Sequence, residues 1–86
     1  MHEYDRALTN LRKALDMRLK LLSDTHIDVA RSYANIGTVY AKIQEYRMAL
    51  EYFNKASLLF EKQQQMPQED IEQLNRNIKI VNDKLR

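Results

Sequence analysis

Cysteine is absent from the 86-residue sequence, and glycine and proline occur once each. Without cysteine there is no disulfide framework, no thiolate chemistry and no cysteine-ligated zinc. One glycine and one proline are too few for the turns of an all-β protein, and a single glycine cannot build a phosphate-cradling loop. No apolar run approaches the roughly 18 residues that would span a bilayer. The start, Met1-His2-Glu3-Tyr4-Asp5, is acidic and amphipathic and does not read as a signal peptide. These absences favour a cytosolic or nuclear address, with the cytoplasmic one expected here. An excess of one charge is missing too: 14 basic residues face 12 acidic ones, scattered along the chain. That balance gives neither a nucleic-acid footprint nor a polybasic membrane patch. What remains is rich in Leu, Ala, Lys, Gln and Glu, the composition of an all-α chain near the lower size limit for one core.

Four amphipathic segments follow one another. The first, about residues 3–22, carries Tyr4, Ala7, Leu8, Leu11, Ala14, Leu15, Leu19 and Leu22 on one stripe. A polar break, Ser23-Asp24-Thr25-His26, follows, with Thr25 as the expected N-cap and Asp28 in the first turn. The second helix is expected over about 27–43, with Val29, Tyr33, Ile36, Gly37, Tyr40 and Ile43 facing inward. Gln44-Glu45 is so short a connection that the third helix, about 46–63, must return antiparallel beside the second. Its inward set is Ala49, Leu50, Phe53, Ala56, Leu59 and Phe60. Pro67 suits the first turn of a fourth helix, about 68–85, where Glu69 and Asp70 favour the dipole and Ile71, Leu74, Ile78, Val81 and Leu85 form the stripe.

Self-comparison gives one period. A shift of 42 residues carries Glu3-Tyr4 onto Glu45-Tyr46, Ala7-Leu8 onto Ala49-Leu50 and Lys13-Ala14 onto Lys55-Ala56. The same shift carries Asp28 onto Asp70, Asn35 onto Asn77, Ile36 onto Ile78 and Val39 onto Val81. One gap-free period that matches both helix types indicates duplication.

Within the period, Tyr33-x-x-Ile36-Gly37-x-x-Tyr40 is followed by Ala49-x-x-x-Phe53-x-x-Ala56. This resembles the tetratricopeptide repeat, over essentially residues 3–85. The physical content is close approach: Gly37 has no side chain where two helices cross, Ala49 and Ala56 keep the facing ridge low, and large rings fill the flanks. The period exceeds the common 34, and the proline usual after the second helix is absent at Glu61. The longer period and Thr25-His26-Ile27-Asp28-Val29-Ala30 are similar to the kinesin light chain subgroup, with Ile27 where that subgroup often has proline. The resemblance implies an antiparallel helix-pair solenoid of four helices. It makes residues 3–22 the second helix of a truncated repeat, 27–63 a complete pair, and 68–85 a capping helix or the start of a further repeat. Lys79 and Arg76 stand where the earlier helix has Gly37 and Ala34, which favours the cap.

Catalysis has little to work with. His2 and His26 are each isolated, with no second histidine at helical spacing, so neither suggests a metal site or a triad. Five tyrosines at helical spacing read as packing ridges, and Glu69-Asp70 as dipole partners. No enzyme activity, cofactor or metal is expected.

Binding is what the resemblance implies. The first helix of each repeat lines a concave surface, and the positions that face a bound peptide are Arg31, Asn35, Thr38 and Lys42, then Gln73, Arg76 and Asn77. Asn35 recurring at Asn77 is the sharpest sign, because an amide can both donate to and accept from an extended backbone. The alternative is that each asparagine bonds a neighbouring helix. A carboxylate clamp does not fit, since Ala34 and Thr38 occupy its lysine and asparagine places, while Arg31 and Arg76 favour an acidic peptide. A second expectation is self-association, with the last helix of one copy covering the uncovered apolar stripe of another copy's first helix, as a dimer or an open assembly.

Overall fold

The computed structural model describes residues 2–22, 26–63 and 68–86. Among these residues are four helices and no strand: α1 (His2–Leu21), α2 (Ile27–Lys42), α3 (Tyr46–Glu61) and α4 (Gln68–Leu85). The expected architecture and helix order are present, and the ends differ by one or two residues for local reasons. α3 stops at Glu61 because Lys62 and Gln63 donate to Leu59 and Phe60, the i−3 carbonyls that tighten a last turn.

At the start of α2 the cap differs from the expected one. His26 is the N-cap, in extended conformation, and its Nδ1 accepts the Asp28 N–H at 3.1 Å. An imidazole nitrogen thus does the work expected of a threonine hydroxyl, satisfying one of the four unpaired donors of the first turn. Thr25 lies outside the described residues, as does Pro67.

α2 ends in a compact reversal. The Glu45 N–H reaches Tyr40 O at 2.9 Å and the Gln44 N–H reaches Ala41 O at 3.1 Å, the paired bonds of a Schellman motif. Gln44 takes the left-handed position of that motif, with φ 66°. The chain therefore turns at once, and α3 lies against α2.

The core sits between these two helices and spreads outward. Val29, Ala30, Ile36 and Tyr40 of α2 and Ala49, Phe53, Ala56 and Phe60 of α3 are buried. At the crossing, a Cβ placed on Gly37 would stand 2.7 Å from two atoms of the Phe53 ring and 3.1 Å from Ala49 O, so only glycine fits without displacement. α4 adds Leu74 and Val81 to the core, packing mainly on α3 and lightly on α2. α1 packs on α2 alone: Leu15 is buried, and Leu8 and Leu11 pack against the core. Each helix touches only near neighbours, as in a solenoid.

Two parts of the expected stripes lie outside this core. Leu19 and Leu85 are exposed, each at the far end of a terminal helix. Conversely, Ser32 was not among the inward positions, yet it is 1% exposed. Its hydroxyl donates to Asp28 O at 2.9 Å and accepts from Arg18, whose guanidinium reaches in from α1. Arg12 donates to the Tyr40 hydroxyl in the same way, so α1 is held by a leucine seam flanked by two arginine contacts.

Candidate functional site

Helical geometry sets Arg31, Asn35, Thr38 and Lys42 on one stripe of α2, at steps of four, three and four. Arg31 and Lys42 stand about 16 Å apart along it, eleven residues at 1.5 Å each. Beside this stripe runs α4, carrying Gln73 and Asn77, and the face between the two helices is the candidate interface.

The seven expected contact residues are not equivalent. Thr38, Lys42 and Asn77 come together around one open cavity of about 160 Å³. Its floor is Phe53 and Val81, and Ala41 and Ile80 form apolar walls. Thr38 is half-buried and donates to Ala34 O at 3.0 Å. Asn77 accepts from Gln73 Nε2 at 3.2 Å, so Gln73 acts here by orienting the asparagine. Asn77 therefore bonds within its own helix rather than to a neighbouring one. Asn35 is exposed on the α2 stripe, and Arg76 is exposed on α4; neither lines the cavity.

Arg31 is placed differently from its expected role. Its Nε and Nη2 both donate to Asp70 Oδ2, at 3.2 and 2.9 Å, and Asp28 lies 3.8 Å from Nη1. The guanidinium therefore ties the start of α4 to α2, and its charge is largely neutralised. Lys42 makes no ion pair among the described residues, so the uncompensated positive charge of the stripe lies at the C-terminal end of α2.

A second cluster was not anticipated as a unit. Tyr40 stacks on Tyr52 with centroids 5.6 Å apart and planes 16° apart, and Tyr33 leans on the same ring at 6.1 Å. Lys55 Nζ stands 5.1 Å from the Tyr52 centroid and 5.8 Å from that of Tyr33. This row joins α3 to α2 through rings and a cation, a packing use of tyrosine. The signal for it was Tyr52, one residue before the core phenylalanine and off the inward stripe.

The outer faces of the terminal helices are opposite in character. On α1, Met17 is 62% and Leu21 77% exposed. On α4, Glu72, Asn75, Lys79 and Asn82 are exposed, and by the 42-residue shift they stand where α2 has Ala30, Tyr33, Gly37 and Tyr40. A helix with that face cannot pack as α2 does.

Among the described residues no group of three or more His, Asp or Glu could hold a metal ion, and no helix is long and apolar enough to cross a membrane. Compared with known proteins, residues 1–62 match a family model described as tetratricopeptide repeat. No curated protein and no solved structure matches the chain.

Proposed function

We propose, for a chain that belongs to the tetratricopeptide repeat family, that the face between α2 and α4 holds an extended peptide segment of a partner protein. The family consists of non-catalytic protein-interaction modules, and an interaction role follows from membership. The finer reading rests on one observation: Thr38, Lys42 and Asn77 converge on a single cavity between the two helices, with Asn35 exposed on the same stripe. Asn77 is oriented by Gln73 and donates its own amide hydrogens to nothing among the described residues. It is free to meet a peptide carbonyl, and Asn35 offers the same group about two turns before the last residue of α2. Arg31 supports the site by fixing α4 against α2, and Arg76 borders it.

Peptides selected from a random library against the chain test this. The Asn35→Ala/Asn77→Ala double variant is expected to weaken them about tenfold, from two hydrogen bonds of about 1 kcal/mol each less partial compensation by water. Unchanged affinity with an intact fold removes the groove from consideration.

Within the family, the 42-residue spacing and the capping role of His26 support a long-period repeat similar to those of kinesin light chains. On that reading α1 is the second helix of a repeat, α2 and α3 are a complete pair, and α4 closes the array with its polar outer face. A cytoplasmic setting is part of the same proposal.

Self-association is the second reading, favoured by the exposed Met17 and Leu21 of α1. The polar face of α4 opposes the reciprocal exchange of terminal helices, so the contact would be made by α1. Light scattering at several concentrations decides it: a mass that rises with concentration supports the reading, and a constant monomer mass ends it.

A further inference from the structure

Among the described residues α1 is the helix that packs on a single neighbour, and the face it leaves open has a regular spacing. Glu3, Ala7, Asn10, Ala14, Met17 and Leu21 follow at alternating steps of four and three. They form a straight seam about a third of a turn from Leu8, Leu11 and Leu15, the side that meets α2. The two alanines are half-buried, and small residues there let another helix approach closely. Met17 and Leu21 stand open, with Ala14, Arg18 and Leu22 around a cavity of about 270 Å³.

The charges beside the seam decide what suits it. Arg6, Lys13 and Lys20 run along its outer edge at intervals of seven residues, all exposed. None has a carboxylate within ion-pair distance among the described residues. The 42-residue shift shows what is missing. Lys13 falls on Lys55, which lies 4.0 Å from Glu51 and 5.1 Å from the Tyr52 centroid. In α1 the places of Glu51 and Tyr52 are taken by Thr9 and Asn10, so the lysine recurs without its two partners on the helix. Asp5 and Asp16 lie on the far side of the basic row, and Glu3 sits at the N-terminal end of the seam. A second copy is the poorer occupant. Two copies of α1 set antiparallel bring the basic rows face to face, and set parallel they bring Lys13 against the Arg18 side. A carboxylate gains at each place where a copy loses.

We propose that the open face of α1 is a docking surface for an amphipathic helix of another protein. That helix carries leucine-sized residues on the face that meets Met17 and Leu21, and carboxylates along the edge that meets Arg6, Lys13 and Lys20. The surface is separate from the groove between α2 and α4. It works by side-by-side helix packing, where the groove works by hydrogen bonds to an extended backbone.

Three blocked helical peptides, each of three identical heptads, are the probes, titrated into the isotope-labelled full chain by NMR. The first has leucine at the two seam positions and glutamate at the two flanking positions, with alanine and glutamine elsewhere. The second exchanges glutamate for lysine, and the third exchanges leucine for alanine. At low salt the first is expected to shift the amides of Ala14, Met17 and Leu21. It should bind at least about tenfold tighter than the second, an advantage that shrinks as salt is raised. It should also bind at least about tenfold tighter than the third. Lys13→Glu/Lys20→Glu should reverse the choice between glutamate and lysine peptides, and Met17→Asn should remove most of the gain from leucine. These three positions are exposed, so the fold is retained. Asn35→Ala/Asn77→Ala should leave this binding unchanged; weakening by that variant places the peptide in the groove and overturns the proposal. Equal affinity for glutamate and lysine peptides, or no shift at α1, also overturns it. So does a chain mass that rises with concentration and returns to the monomer with Met17→Asn, which gives the face to a second copy.

Discussion

A chain carrying Phe53→Ala is expected to lose about 3–5 kcal/mol of stability, the range for removing a buried ring. Phe53 is 0% exposed and touches the site where α2 comes closest to α3. For a domain whose whole stability is about 5–15 kcal/mol, such a loss brings the folded state near its limit. In thermal unfolding followed by circular dichroism, Tm should fall by about 12 °C or more. The same contact sets the sign of a second substitution. Gly37→Ala gains about 1 kcal/mol of helix propensity, yet its Cβ would stand 2.7 Å from a ring that close packing holds in place. In the native background the clash wins and the variant is destabilised. In the Phe53→Ala background the ring is gone and only the 3.1 Å approach to Ala49 O remains, so Gly37→Ala should cost less than in the native background. A double-mutant cycle reads this relief directly, and additive effects would show that the two residues do not share the contact.

Val81→Asp has the second large effect, and its consequence is local. Val81 is 1% exposed where α4 meets the rest of the core. A carboxylate has no partner there, so burying it costs more than about 3 kcal/mol, and the cheaper outcome is for α4 to leave. The α2–α3 pair keeps its own Gly37–Phe53 crossing and should persist. α4 holds 18 of the 70 residues in the four helices, so the helical signal should fall by about a quarter. Amide exchange should become fast from residue 68 onward while α2 and α3 stay protected. Peptide binding should vanish with it, because Asn77 belongs to the departing helix. Continued protection of α4 would contradict this assignment of its anchor.

What the sequence made legible follows from periodicity. The helices, their order and the glycine–phenylalanine crossing can be read because each repeats at a fixed interval and each has a size that only close packing explains. Asn35 and Asn77 stand out by the same rule. Contacts that break the period were not. Arg31 and Asp70 are 39 residues apart, so no self-comparison aligns them, and an arginine on a groove stripe reads as a ligand contact until a carboxylate is seen beside it. Ser32 reads as solvated because a hydroxyl in a helix usually is; only Arg18, arriving from another helix, makes its burial affordable in hydrogen bonds. The His26 cap was hidden by the preference of N-caps for threonine, when an imidazole nitrogen can accept equally well.

The reversal at Gln44 bears on where the chain's instructions reside. A side-chain-bearing residue at φ 66° costs about 1–2 kcal/mol relative to the right-handed regions. A segment that opposes the folded state cannot be what commands the chain to turn back. The command must come from the two faces it joins, which gain more by meeting than the turn loses by bending. In that sense the connection is a follower: its residues record a decision made at Gly37, Ala49 and Phe53, and the grammar of this fold is written in its helices rather than in its punctuation.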